Sequence, residues 1–249
     1  MTTYLFLGPT LPAHVAVAIL PDAAILPPVA CGDVYRLVRD ARPRRIAIVD
    51  GYFERMAAVW HKELIFARER GAEVWGAASM GALRAAELLP FGVRGVGRVY
   101  RTFARGARSL TVGPETDDDE VAIVHGPAEL GYPALSTAMV DLRAGLAALR
   151  ERSAISARTH DRLLAAQKAR PYRERSWAAL LDDADAVALP RRELAALAAL
   201  AARAPSVKAA DARALLRRLA RTPPRRVPGP RVPRTWFWRQ LCAIVDSES

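Results

Sequence analysis

Ser79 lies in the run Trp75-Gly76-Ala77-Ala78-Ser79-Met80-Gly81, where small residues flank a hydroxyl at the point at which a short apolar stretch passes into a helical one. A strand that turns sharply into a helix leaves no room for bulky side chains at the bend. Such a bend lifts a serine oxygen over the sheet edge and turns helix N-terminal N–H groups toward any oxyanion formed beside it, which is the chemistry of acyl transfer. Ala72 to Trp75 reads as the strand. Leu83, Ala86, Glu87 and Leu88 continue at helical spacing until Pro90 stops them. The same serine also fits a plain helix N-cap, whose hydroxyl would only accept a backbone N–H.

The second reactive residue is Lys62. Of the 37 basic side chains only Lys62, Lys168 and Lys208 are lysines, and Lys62 alone falls in the first 150 residues. Arginine stays protonated at any accessible pH, whereas a desolvated lysine can act as an amine. The spacing predicts a helix over 53–70 with an apolar stripe of Phe53, Met56, Trp60, Leu64 and Ala67, and Lys62 opposite it. On that basis it could be a solvated surface lysine. Its neighbours at helical spacing, Ala58, Val59, Ile65 and Phe66, make the second face apolar as well and predict a helix buried on both sides. A lysine there can serve as general base, so Ser79 and Lys62 form a Ser-Lys pair, a variant of the serine-triad logic.

Several blocks then resemble one family. Leu7-Gly8-Pro9-Thr10-Leu11-Pro12, Cys31-Gly32-Asp33, Ile48-Val49-Asp50-Gly51-Tyr52-Phe53-Glu54-Arg55, Val59-Trp60-His61-Lys62-Glu63, Gly76 to Ala85 and Asp118 to Pro127 occur in the order found in TfuA-like proteins, over about residues 3–148. The resemblance implies a role in peptide-backbone thioamidation beside a YcaO-type enzyme, which activates a backbone amide with ATP so that sulfur can replace its oxygen. It further implies hydrolysis of a thiocarboxylated, ThiS-like carrier protein to release sulfide, with the hydrolase-like site on Ser79 and Lys62. Expected pocket and oxyanion contributors are Gly8, Met80, Gly81, Asp50, Tyr52 and His125. Positive charge against the thiocarboxylate would come from Arg84 or Arg55.

Asp50-Gly51 follows the apolar run Ile46 to Val49, at a strand end where α/β sheets collect ligands, though Asp-Gly is also an ordinary turn. His125 follows Val121 to Val124 in the same way. Asp117 to Glu120 reads as a solvated helix start, with a partner or metal role as the alternative. His14, His61 and His160 carry no such context. Cys31 and Cys242 are far apart, which excludes a zinc framework or a Cys-x-x-Cys redox pair and leaves Cys31 as a possible persulfide carrier. No phosphate-binding loop or dinucleotide fingerprint is present, so no cofactor and no metal are expected.

The elements that must position these residues form an α/β fold. Apolar runs at 4–7, 24–26, 46–49, 73–75 and 121–124 alternate with helical patterns, predicting a largely parallel sheet with flanking helices. Helical segments near 142–170, 176–203 and 206–221 then predict a C-terminal all-helical appendage. The predicted divisions are 1–148, the α/β core; 149–222, the basic helical appendage; and 223–249, a mobile Pro/Arg-rich strap whose Thr235-Trp236-Phe237-Trp238 cluster could dock. Residues 1–150 carry 17 basic and 16 acidic side chains, so almost all of the net charge of +11 belongs to the remainder. That basic part suits an acidic protein surface, the carrier, the YcaO-type enzyme or an acidic peptide substrate, ahead of nucleic acid. Without a signal-peptide pattern or an apolar run near the roughly 20 residues a spanning helix needs, a cytoplasmic protein is expected.

Two other functions fit the same residues. One is a non-catalytic adaptor that binds the YcaO-type enzyme and its peptide, with Ser79 as a cap. The other is a serine hydrolase of different substrate using Ser79, His125 and one of Asp117 to Asp119, in the chain order of the α/β-hydrolase triad.

Overall fold

Short apolar runs closed by glycine or aspartate become strands buried on both faces, and between them chain returns as helix. The computed structural model describes residues 2–53, 56–109 and 115–248. Strands β1 (Thr3–Phe6), β2 (Ala23–Leu26), β3 (Arg45–Ile48), β4 (Glu73–Ala77) and β5 (Arg94–Val96) form one parallel sheet in the order β2-β1-β3-β4-β5. Helices α1 (Ala13–Ile19), α2 (Asp33–Ala41), α3 (His61–Glu69), α4 (Met80–Glu87) and α5 (Arg98–Ser109) alternate with the strands or follow them. Four more, α6 (Met139–Glu151), α7 (Ala157–Ala169), α8 (Trp177–Ala186) and α9 (Arg191–Arg203), make the helical appendage, and α10 (Val207–Ala220) and α11 (Trp236–Ser247) close the chain.

Pleating sorts the core into two layers. Phe6, Ile46, Ile48 and Val74 share one cluster with α2, α3, α4 and α11. Leu5, Leu7, Ala47, Val49, Trp75 and Ala77 share the other with α1 and with Ala212, Leu215, Leu216 and Leu219 of α10. Helix α1 alone cannot cover that second face, so α10 belongs to the α/β body and not to the appendage. Buried Arg45 fixes it there: its guanidinium pairs with Glu73 at 2.7 Å and donates to Leu219 O and Thr222 O. Asp211 of α10 accepts the first N–H groups of α5, from Arg98 and Val99, at 2.8 Å each.

The chain therefore folds as two compact units with bounds that differ from the predicted 1–148, 149–222 and 223–249. One unit comprises Met1–Gly113 with Ala209–Ser249, and the other is Pro114–Lys208. In the second unit the two long helical stretches are each a pair. Ser153 at φ 55° and the Ser156 cap separate α6 from α7, and Ala188 at φ 50° with Pro190 separates α8 from α9. Their core is Met139, Leu142, Leu146, Leu163, Leu180, Leu197 and Leu200.

Three other sequence expectations are corrected. Val121 to Val124 is not a sheet strand: a 3-10 turn at Asp118–Glu120 precedes it, and none of the four residues joins the parallel sheet. Strand β5, which the apolar pattern did not mark, takes the sheet edge instead. Helix α3 begins at His61, not Phe53, because Trp60 is extended and the Glu63 carboxylate reaches back to its N–H at 3.0 Å. Met56 and Trp60, placed in the predicted stripe, are exposed.

The double burial of α3 holds, and the C-terminal residues supply it. Val227 N–H donates to Gly71 O, Arg68 donates to Pro228 O, and Glu69 accepts from Val232 N–H and pairs with Arg234, both at 2.8 Å. The Pro/Arg-rich segment is extended but pinned along α3. Helix α11 then seats Trp238, 1% exposed, against Tyr35 and Phe66 with ring centroids 5.6 and 5.4 Å away.

Candidate active site

In the order β2-β1-β3-β4-β5 the chain reverses direction between β1 and β3, and ligand crevices of such sheets open at the carboxyl ends of those strands. Gly8, Asp50, Gly51, Tyr52 and Ser79 all follow the carboxyl ends of β1, β3 or β4. Asp50, 2% exposed, accepts Gly8 N–H at 2.9 Å, Thr10 N–H at 3.1 Å and the Thr10 hydroxyl at 2.5 Å. Its carboxylate ties the β1 loop to β3. Tyr52 N–H donates to Val29 O at 3.0 Å, extending the edge beside Gly51.

Ser79 stands where β4 bends into α4. Ser79 N–H donates to Ala77 O at 2.8 Å, and Ala78 between them has φ 67°, the hydrogen bond and dihedral of a strained γ-turn. The bend is enforced by two glycines. A Cβ on Gly76 would sit 1.9 Å from Gly81 O, and one on Gly81 would sit 1.8 Å from Ile48 O, so the first turn of α4 lies directly on β3 and β4. Ser79 occupies the N-cap position with φ −111°, but its side chain makes no cap hydrogen bond, and its hydroxyl has no partner among the described residues. The cap reading is thus not realised in the geometry. Ser79 is 4% exposed.

The backbone donors around it are unequal. Gly81 N–H is directed to Val49 O at 3.3 Å and Gly8 N–H to Asp50, so both are engaged within the fold. Met80 N–H has no partner among the described residues and stands at the positive end of α4. It is the donor best suited to an oxyanion.

Lys62 is half-buried at the start of α3. Helix α3 connects parallel β3 and β4, so its N-terminus lies at the same carboxyl edge as Ser79. The chain just before it is held to α4: Arg84 Nε donates to Val59 O at 3.1 Å, and His61 and Arg84 both pair with Glu87. Arg84 is five residues beyond Ser79, about 7.5 Å along the helix axis. Lys62 Nζ donates to the Thr235 hydroxyl, the N-cap of α11, and a Lys62–Ser79 hydrogen bond is not among those of the described residues. Arg84, expected to face an anion, is occupied by Val59 and Glu87. Arg55 lies outside the described residues.

His125 belongs to the helical unit. Its Nδ1 lies 2.8 Å from Gly126 O, its ring meets Tyr132 edge-on at 5.5 Å, and it pairs with Ala134 in an isolated bridge. Asp117 to Glu120 is not a solvated helix start: Lys168 pairs with Asp117, Asp119 and Glu120, Arg175 with Asp119, and Arg143 with the fully buried Glu120. The carboxylates a triad would draw on from Asp117 and Asp119 are spent neutralising Lys168 and Arg175. An open cleft of about 490 Å³ in the same unit, lined by Arg150, Ser156, Arg192 and Glu193, contains none of the predicted site residues.

Glu63 was missed from the sequence, although its place three residues after Trp60 is the capping-box spacing. Its carboxylate accepts from Gly32, Tyr35 and Trp60 N–H, at 3.0, 3.2 and 3.0 Å, and burial pushes it up to about 7. Cys31 is pushed up to about 11 by burial and by the nearby Glu63 and Asp33 carboxylates, which argues against the thiolate a persulfide carrier needs. Among the described residues no cluster of three or more His, Cys, Asp or Glu is placed to hold a metal ion. No helix among them is long and apolar enough to cross a membrane.

A parallel sheet covered by helices on both faces, with a serine at a strained strand-to-helix bend, defines an α/β protein. A family model described as TfuA-like protein matches residues 50–176, half of the chain, and the chain belongs to that family. No curated protein matches it. Membership ties the chain to thioamidation systems, and the family is generally associated with a YcaO partner. The match includes Asp50, Lys62, Ser79 and His125 and stops before α8.

Proposed function

We propose that the chain is a Ser-Lys thiocarboxylate hydrolase that supplies sulfide for thioamidation by a YcaO-type enzyme. The observation that carries this reading is the Ser79 hydroxyl, set by a strained turn at the sheet's carboxyl edge and left without the cap bond that would explain it structurally. A residue held in such a conformation persists only when its surroundings over-determine it, and such residues cluster at functional sites.

In the mechanism, the Lys62 amine takes the proton of Ser79 Oγ, and the oxygen attacks the carbonyl carbon of the carrier's thiocarboxylate. The oxyanion points at Met80 N–H and the start of α4, where the helix dipole favours negative charge. Collapse breaks the C–S bond as the Lys62 ammonium gives its proton to the departing sulfur, which leaves as hydrosulfide and returns the amine to its neutral form. Water then attacks the acyl-serine with Lys62 again accepting a proton, so that thiocarboxylate and water become carboxylate, hydrosulfide and a proton.

Sulfide release from a thiocarboxylated carrier by wild type, Ser79→Ala and Lys62→Arg tests this. Each substitution should lower the rate by at least about 100-fold, because the members of a nucleophile-base pair act as a unit. A Ser79→Ala protein that releases sulfide at the wild-type rate refutes the reading. It would favour the adaptor, which the near-complete burial of Ser79 also suits.

A further inference from the structure

The geometry points to Thr235 as the residue that positions Lys62, so that the C-terminal segment, far outside the family match, completes the site. The inference rests on the Ser-Lys reading above. Lys62 Nζ donates to Thr235 Oγ1. Thr235 is itself fixed in place: it is the N-cap of α11, its Oγ1 accepts Trp238 N–H at 3.4 Å, and Trp238 is fully packed against Tyr35 and Phe66. On its other side the chain is anchored by Arg234 to Glu69 and by Val232 N–H to the same carboxylate.

A lysine side chain has four rotatable bonds, and an unanchored amine at a helix start would spread over many rotamers. Committing one N–H to Thr235 removes most of that freedom and leaves the nitrogen lone pair as the remaining variable. Nucleophile-base pairs commonly have the base oriented by a third group, and a neutral hydroxyl suits a lysine base better than a carboxylate would. A carboxylate in this place would stabilise the ammonium and hold the base in its inactive form. The charged groups around this corner are engaged elsewhere: Arg84 pairs with Glu87, which also accepts the His61 ring contact, Arg234 pairs with Glu69, and Glu63 faces inward to Gly32, Tyr35 and Trp60. None of them is a hydrogen-bond partner of the Lys62 amine among the described residues.

The test uses the full chain with Thr235→Val, Thr235→Ser and Thr235→Asp, measuring sulfide release from a thiocarboxylated carrier between pH 6 and 10 together with thermal stability. Valine should lower kcat about tenfold with little change in KM, and serine should restore it. Aspartate is a good N-cap and should preserve the melting temperature. It should nevertheless move the rising limb of the pH profile upward by about one unit or more, since an adjacent opposite charge favours the ammonium. A purely structural threonine predicts the opposite: normal activity for aspartate at every pH, following its stability. An aspartate profile that overlays wild type overturns the inference while Ser79→Ala and Lys62→Arg remain inactive. If those two are active, the Ser-Lys reading has failed instead.

Discussion

Gly81→Ala sets two effects of opposite sign against each other. Replacing a helix glycine by alanine ordinarily stabilises by about 1 kcal/mol, because glycine loses more backbone entropy on folding. At Gly81 the new Cβ would lie 1.8 Å from Ile48 O and 2.5 Å from Ile48 C, both backbone atoms of β3, so no side chain can swing away. Reaching even 3.0 Å requires α4 to lift by about 1.2 Å. Its first turn, and Ser79 with it, must then leave the sheet, breaking the Gly81 N–H to Val49 O bond and unpacking Met80 from Gly51. Overpacking of a dense interior costs about 1–3 kcal/mol, and a clash this close with backbone atoms belongs at the upper end, so the net change should be a loss of about 2 kcal/mol. A shift near 1 Å at the nucleophile should also lower sulfide release about 100-fold in the fraction that remains folded. Urea unfolding followed by tryptophan fluorescence gives the stability, and the sulfide assay on the folded protein gives the rate. A Gly81→Ala protein as stable as wild type or more so would refute the close packing of α4 on β3.

Two further predictions concern buried acids and thiols. Glu63 is raised from its ordinary value near 4.5 to about 7, so the native state holds its proton longer than the unfolded chain; the stability this contributes is complete below pH 4.5 and is lost as pH rises through 7, amounting to about 3 kcal/mol, and Glu63→Gln should flatten that part of the stability-pH curve as read by thermal melts. Cys31, pushed up to about 11, should be alkylated by iodoacetamide at pH 8 at least tenfold more slowly in the native protein than in urea, and equal rates by mass spectrometry would contradict its burial beside Glu63 and Asp33.

The bend at Ser79 was legible because the pattern changes period there, from a buried run to helical spacing, with small residues on both sides. The parallel sheet followed from the same alternation. Strand β5 was not, because Arg94-Gly95-Val96 has no apolar run; Gly95 is needed so that the Tyr100 ring can cover it, a Cβ there falling 2.0 Å from Tyr100 Cδ2. Met56 and Trp60 fall at helical spacing, yet the helix starts only at His61, where Trp60 is extended and Glu63 caps the first turn. Local periodicity made α10 another basic helix and could not reveal that Leu215, Leu216 and Leu219 fit the bare face of a sheet more than a hundred residues earlier. The lysines stood out in the sequence by their scarcity among arginines. Each of the three meets specific acceptors: Thr235 for Lys62, three carboxylates for Lys168 and Val121 O for Lys208. A single nitrogen on a flexible stem suits such acceptors better than a planar fork.

The arrangement of α10 also governs how the molecule comes off the ribosome. Roughly 110 residues separate the end of β5 from the start of α10, so at cellular synthesis rates of 5–20 residues per second a nascent chain waits about 5–20 s with Leu5, Ala47, Val49 and Trp75 lacking their lid. During that interval this apolar face stays open to water, and it closes only after the helical segment between β5 and α10 has been made.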